Sequence, residues 1–307
     1  MAWEYEGLFD VIPSDGDLLA EYWKSEPTAT RIGSMGYRTR TIKAGTRLEA
    51  EVHPIYGRGM EATARKAKQN ITKERQHQLN TRRAKRRLVL LMEENFMLYD
   101  DDAITLTYAK EPDSLKRCRM DVRNFMNRVR RLREKRNMSE MKYLCAIGHD
   151  QNHRIHVHCV MTGGIGKKEL VKLWGKGIVN DFLLQSYGKG LQGMANYLYK
   201  QNEKARDRGE RFYFHMWSGS KNLKKPKEHV SDTKISNRKV KKIALSFGAI
   251  GKEIMEKVYP DYVLEDCIVR YSDIVDGVYI RCVMRRKEEK DEQKAKNQKR
   301  PENAAAV

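Results

Sequence analysis

The chain has 307 residues, and 61 Lys and Arg against 41 Asp and Glu give it a formal net charge of +20 at pH 7. This charge favours a polyanionic partner, nucleic acid above all. The absence of any run of about 18 apolar residues argues against a transmembrane helix or a membrane partner. The acidic first residues lack the features of a signal peptide, so we expect a cytoplasmic protein in a bacterial host. Five cysteines without a CxxC spacing indicate neither a disulfide framework nor a zinc knuckle.

The first hundred residues are predicted to form an N-terminal hairpin and a basic helical region. Residues 36–55 alternate between apolar and polar positions around Gly45, which predicts a β-hairpin. Residues 61–87 are strongly basic and compatible with a helix. In that segment Arg82 and Arg83 are candidate contacts to a DNA backbone, although a solvated helix face explains them equally well.

The next segment has the clearest order of predicted elements. Residues 103–108 favour a strand, and Asp113 or Ser114 can cap a helix that runs to about residue 136. Strands are predicted at 142–149 and 154–162, a helix at 167–174, an extended piece at 178–184 and a helix from residue 190. This order predicts an α+β fold, with an antiparallel sheet and helices packed on one side.

Two histidines stand out in the second of these paired strands. His156 and His158 are two residues apart in a strand, so their side chains leave the same face of the sheet. That arrangement can preset two nitrogen ligands for a divalent metal. Two surface or hydrogen-bonded histidines are the alternative interpretation.

A tyrosine and a lysine follow on the predicted helix. Tyr197 and Lys200 are three residues apart, which places them on one helix face. Tyr199 lies about 200° around the helix from Tyr197, so both cannot face one metal. We expect Tyr197 to be the nucleophile and Tyr199 to be packed, with Tyr187 as a distant alternative. A metal, a tyrosine and a lysine are the parts needed to cleave a phosphodiester.

Three motifs in this order resemble those of the HUH endonucleases, the catalytic domains of rolling-circle replication initiators of phage and plasmid type. Residues 105–108 resemble the Leu-Thr-x-Tyr strand of the first motif, residues 156–158 the His-hydrophobic-His motif, and residues 197–200 the Tyr-x-x-Lys motif. Residues 218–226 are similar to a Ser-x-Ser-x-x-Leu-Lys-x-Pro element that often follows the catalytic tyrosine. The likeness extends to the group of the filamentous-phage gene II protein.

The resemblance implies a βαββα-type, RRM-like core and a metal-dependent, site-specific nickase and strand transferase. Mg²⁺ or Mn²⁺ on His156 and His158 would polarise the scissile phosphate, and Tyr197 would form a 5′-phosphotyrosine link with help from Lys200. Relatives place a carboxylate on the preceding strand as a third metal ligand. The corresponding place here favours His149, with Asp150 or water as alternatives. An all-imidazole set would shift the preference toward Mn²⁺.

The expected partner is single-stranded or hairpin origin DNA, and Lys221, Lys224 and Lys225 are candidate phosphate contacts. No Gly-x-x-x-x-Gly-Lys-Ser/Thr motif occurs, so we expect a separate host helicase. With one tyrosine, termination needs a second subunit or another nucleophile, and the oligomeric state stays open. A relaxase or transposase with the same chemistry, or an inactive basic DNA-binding protein, are the alternatives.

The predicted domain boundaries divide the chain into four parts. Residues 1–100 form the N-terminal region and residues 101–226 the endonuclease domain. Residues 227–285 form a C-terminal α/β extension, with strand-like runs at 262–271 and 278–284. Residues 286–307 are dense in charge and end in alanines, which predicts a disordered tail.

Overall fold

The computed structural model describes residues 23–24, 36–55, 73–149, 154–186, 190–207, 217–272 and 278–287. The predicted tail from residue 288, and Tyr187, lie outside these ranges. The described elements, in chain order, are β1 (Trp23–Lys24), β2 (Gly36–Ala44), β3 (Arg47–Ile55), α1 (Lys73–Asn95), β4 (Asp102–Thr107), α2 (Leu115–Lys135), β5 (Tyr143–His149), β6 (Ile155–Met161), α3 (Lys167–Trp174), β7 (Val179–Leu183), α4 (Gln192–Asp207), β8 (Ser218–Gly219), β9 (Lys227–Ser231), α5 (Asn237–Leu245), α6 (Gly251–Val258), β10 (Tyr262–Ser272) and β11 (Val278–Arg286).

Contacts divide the chain into two compact units. The central unit is Arg87–Lys225, and the outer unit takes residues up to Arg86 and from Pro226 onward. Each unit holds one antiparallel sheet, which confirms the predicted α+β class. The predicted domain boundaries at residues 100 and 226 stay a prediction. None of the described helices is long and apolar enough to cross a lipid bilayer.

The sheet of the central unit has the strand order β7-β4-β6-β5-β8. Alternation along β6 sends Ile155, Val157 and Cys159 into a core with α2 and α3. Helix α2 begins where the sequence predicts, because the Ser114 hydroxyl accepts a hydrogen bond from the backbone N–H of Arg117 at 3.2 Å. The predicted helix at residues 167–174 is observed with the same bounds.

Helix α4 adds a further layer to this architecture. Helices α2 and α3 pack on one side of the sheet, as predicted, and α4 packs on the opposite face, against the even-numbered residues of β6. Its buried residues Ala195, Leu198 and Tyr199 need an apolar surface, and Val160 is buried on that face. The two faces of the sheet are therefore both covered in part, and the histidines lie on the face that α4 occupies.

The outer unit has the strand order β1-β10-β11-β3-β2-β9. The predicted hairpin is observed as β2 and β3, with Gly45 at φ 54° in the turn, and the predicted C-terminal strands are β10 and β11. One face of this sheet packs on α5 and α6 through an apolar core that includes Leu48 and Val52. On the other face Glu49 and Glu51 are fully buried, and Arg86 of α1 forms ion pairs with both.

Candidate functional site

The site is built around the two histidines of β6. His156 and His158 project from the same face, with ring centroids 4.6 Å apart and ring planes at 76°. The cross-strand partners of His158 are Thr105 on β4 and Ala146 on β5, and those of His156 are Thr107 and Gly148. Small or hydroxyl-bearing residues therefore flank both imidazoles.

His158 is held by a hydrogen bond from the neighbouring strand. Its Nδ1 lies 2.9 Å from the hydroxyl oxygen of Thr105, and the residue is only 7% exposed. Burial, and secondarily the charge of His156, lowers the pKa of His158 to about 3. The imidazole is therefore neutral at physiological pH, the state in which a ring nitrogen can bind a metal or accept a proton.

Helix α4 brings Tyr197 to this pair. The Tyr197 hydroxyl lies 3.4 Å from Nε2 of His158, and the two ring centroids are 4.9 Å apart. Tyr197 is 46% exposed, and partial burial raises its pKa above the ordinary value, so the phenol is protonated at neutral pH. Lys200, three residues later, is also exposed on the helix. The structure thus brings Tyr197 and the predicted histidines together.

Tyr199 lies on the buried side of the same helix. It is 1% exposed, and Leu198 beside it is equally buried. The prediction that Tyr199 is packed is therefore confirmed, and Tyr197 is the tyrosine that solvent and substrate can reach.

The donor set fits a divalent metal as far as the described side chains extend. His156 and His158 supply two nitrogen donors, and the hydrogen bond from Thr105 to His158 is the kind of outer contact that orients a ligand ring. Among the described side chains, no group of three or more His, Cys, Asp or Glu could hold a metal. The side chains of His149 and Asp150 lie outside the described residues, so the third ligand stays a prediction. On the backbone of β5, Gly148 pairs with His156 and His149 pairs with Ile155.

Sequence reasoning missed the role of Thr105, which it placed in the first motif without a function. The strand pairing of β4 with β6 sets Thr105 opposite His158, and no local pattern reveals that register. Thr107 is structural, as its side-chain oxygen lies 3.2 Å from both the N and the O of Ile178. Gly177 permits this close packing, since a Cβ there would lie 2.4 Å from the Thr107 carbonyl oxygen.

The edge strand β7 adds an exposed aromatic residue to the histidine face. Asn180 pairs with Thr105, and Phe182 pairs with Ala103, so both side chains project on the same face as His158. Phe182 is 65% exposed, which is unusual for a phenyl ring on a strand. Sequence analysis did not single out this residue, because an apolar residue in a predicted strand suggests burial.

The predicted DNA contacts differ in exposure. Lys221, Lys224 and Lys225 are exposed in the segment after β8. The Asn95 side chain fixes that segment with two hydrogen bonds of 2.8 Å to the backbone of Lys224. In the outer unit Arg83 is exposed, whereas Arg82 is half-buried and burial lowers its pKa.

An antiparallel α+β sheet that carries a His-x-His pair, with a tyrosine from a helix on the same face, defines the central unit. Residues 101–205, about a third of the chain, match the model of the replication-associated protein family that groups ORF2 proteins with the phage gene II protein. The matched segment runs from β4 into α4 and includes both histidines, Tyr197 and Lys200. The match supports a relation to replication initiators of the rolling-circle type and a role in replication initiation. Searches of curated proteins and of solved structures gave no match.

Proposed function

We propose that the protein is a metal-dependent, site-specific DNA nickase and strand transferase that initiates rolling-circle replication through a 5′-phosphotyrosine intermediate. The observation that carries this proposal is the approach of the exposed Tyr197 hydroxyl to His158, on the sheet face that also carries His156. The family match over the same residues supports replication as the process. The finer assignment to the HUH endonucleases rests on the three motifs.

The reaction begins with attack of the Tyr197 oxygen on the scissile phosphorus. The bond from phosphorus to the 3′-oxygen breaks, the 3′-oxygen takes up a proton, and the 5′-phosphate stays on the tyrosine. Because the link conserves the phosphodiester bond energy, a later 3′-OH can reverse the step and join strands. Partial burial raises the pKa of Tyr197, so nearby positive charge must favour the phenolate, and Lys200 supplies one ammonium group.

His156 and His158 would hold Mg²⁺ or Mn²⁺, with His149, Asp150 or water completing the protein's ligand set. When bound, the ion would polarise the scissile phosphate and neutralise the charge that develops on it. Thr105 fixes the His158 ring, and the burial of that ring keeps it neutral and available as a ligand. Imidazole donors favour Mn²⁺ over Mg²⁺.

Single-stranded DNA, as such or in an origin hairpin, is the proposed substrate. The exposed ring of Phe182 beside the histidine face can stack on an unpaired base, and aromatic stacking tolerates any base. The formal charge of +20 favours binding to the phosphate backbone. Lys221, Lys224 and Lys225 are proposed phosphate contacts, as are Arg82 and Arg83. A separate host helicase would unwind the duplex.

The decisive experiment combines the purified protein with single-stranded oligonucleotides tiled across its own gene and flanking DNA, with Mn²⁺ or with EDTA. We expect a DNA–protein adduct that resists SDS, requires the metal and disappears in Tyr197→Phe. Tyr199→Phe is the matched control, because it removes the same atom from a buried position on the same helix. If no oligonucleotide gives an adduct while DNA binding is tight, the nickase proposal is wrong and an inactive DNA-binding protein replaces it.

A further inference from the structure

The outer unit contains a cavity of about 280 Å³ whose lining is strongly basic. Three lysines reach it from different places: Lys43 from β2, Lys227 from β9, and Lys234 from the loop before α5. His229 on β9 contributes an imidazole. Three ammonium groups converging on one cavity repel each other, and an anion between them would relieve that repulsion.

The neighbouring carboxylates do not neutralise these lysines. Glu228 also touches the cavity, but strand alternation directs it away from Lys227, and its carboxylate lies 2.9 Å from Arg40. Asp232, at the end of the same segment, is paired with Arg38 at 2.7 Å. Each nearby acid thus has an arginine partner, and the cavity keeps a net positive charge.

The floor of the cavity is preorganised. The hydroxyls of Thr41 and Tyr259 lie 2.6 Å apart, and both residues are buried. The ammonium of Lys234 lies over the Tyr259 ring at 5.1 Å from its centroid, and that of Lys43 over the Tyr262 ring at 5.9 Å. Cation–π contacts of this kind restrain the two lysines before any ligand arrives.

We propose that this cavity binds a backbone phosphate of DNA outside the segment that occupies the nicking site. Lysine ammonium groups supply the point charges that hold a phosphate, and hydroxyls add hydrogen-bond donors to its oxygens. The inference rests on the proposed function in one respect, that DNA is the partner. It assigns to the outer unit a role in holding the DNA without reading its sequence.

The test measures binding of a fluorescein-labelled hairpin oligonucleotide by fluorescence anisotropy across a salt series. The full-length protein carries Tyr197→Phe, and EDTA is present, so that nicking cannot contribute. The cavity variant combines Lys43→Gln, Lys227→Gln and Lys234→Gln. The control variant combines Lys239→Gln, Lys241→Gln and Lys252→Gln, three exposed lysines of α5 and α6 with the same total charge change.

The cavity variant is expected to weaken binding on the order of tenfold at low salt, and to lower the slope of log affinity against log salt by about one unit. The control variant should change both quantities much less. An equal effect of the two variants, or no effect of either, overturns the proposal. Inorganic phosphate is the second probe: if it stabilises the wild type against heat while the cavity variant keeps full DNA affinity, the site binds free anions and the DNA assignment is wrong.

These outcomes are independent of the nicking site. Absence of a Tyr197 adduct with every oligonucleotide contradicts the nickase, whereas the difference between the two lysine variants is measured without nicking. The cavity proposal therefore stands or falls on its own result.

Discussion

The hydroxyl of Thr105 lies 2.9 Å from Nδ1 of His158, across the pairing of β4 with β6. With one ring nitrogen occupied by this contact, the other nitrogen, Nε2, is directed toward Tyr197 at 3.4 Å. A hydrogen bond to one imidazole nitrogen sets the tautomer and the ring orientation, and so determines what the other nitrogen can do. Thr105 is therefore a positioning residue for the proposed site.

Thr105→Val removes this hydroxyl while keeping the β-branched shape. We expect Mn²⁺ affinity to fall on the order of ten- to a hundredfold, because loss of an outer hydrogen bond loosens the ligand ring. Isothermal titration calorimetry with Mn²⁺ measures the change without reference to DNA cleavage. Thr105→Ser keeps the hydroxyl and should bind the metal nearly as the wild type does. Equal Mn²⁺ affinity in Thr105→Val and the wild type would show that the contact is not a support for the site.

Much of the central unit could be predicted because its local signals agree. The apolar alternation of β4 and β6, the cap at Ser114 and the periodicity of residues 167–174 each point to the element observed. The His-x-His spacing correctly predicted two imidazoles on one face, since alternation is a property of any strand. The offset between Tyr197 and Tyr199 correctly predicted which tyrosine is buried.

The features that escaped prediction depend on contacts between distant segments. The register that sets Thr105 beside His158 comes from strand pairing, and the face on which α4 packs comes from tertiary structure. Helices α5 and α6 follow a segment whose charges mask its apolar stripe. In β3 the alternation of Leu48 with Glu49 suggests a solvent-exposed acidic face, yet Glu49 is buried because distant arginines cover it.

Phe182 offers a test of single-strand binding beside the histidines. Phe182→Ala should weaken binding of single-stranded DNA by about 1–3 kcal/mol if one base stacks on the ring. Its effect on the melting temperature should be small, because the ring is 65% exposed. Leu183→Ala on the same strand is the matched control, since alternation places Leu183 on the other face. An equal loss of affinity in both variants, measured by fluorescence anisotropy, would contradict a specific stacking role.

Glu49 is the centre of a buried ion cluster in the outer unit. Its carboxylate, fully buried, forms ion pairs with Arg47, Arg86 and Arg281 at 2.8–3.0 Å. Although burial raises its pKa, the three arginines together hold that pKa well below the ordinary range. Glu49→Gln leaves these guanidinium groups without their counter-charge and should lower the free energy of unfolding by about 3–5 kcal/mol.

Urea denaturation of Glu49→Gln checks this expectation. Glu253→Gln is the control, because Glu253 makes an exposed ion pair with Lys257 of the kind that contributes at most about 1 kcal/mol. A loss of stability in Glu49→Gln no larger than in Glu253→Gln would mean that the buried cluster contributes little to the fold.

His53 gives the outer unit a pH-dependent stability. Burial, together with the charges of Arg38 and Arg40, lowers the pKa of His53 from 6.5 to about 4. Between these two values the unfolded chain binds more protons than the folded one, so the free energy of unfolding falls as pH falls. From pH 7 to pH 5 we expect His53 to account for a loss of about 2 kcal/mol. The contribution is fully present above the unfolded pKa and is lost as pH drops through the folded one.

Urea denaturation at the two pH values, in the wild type and in His53→Gln, measures this term. The variant should lose less stability on acidification, because the glutamine amide does not titrate. His158, whose pKa burial also lowers, contributes equally to both proteins and cancels in the comparison. The exposed His229 provides the control substitution, His229→Gln, which should leave the pH dependence of the wild type in place. An unchanged pH dependence in His53→Gln would show that His53 is protonated in the folded protein as readily as in the unfolded chain.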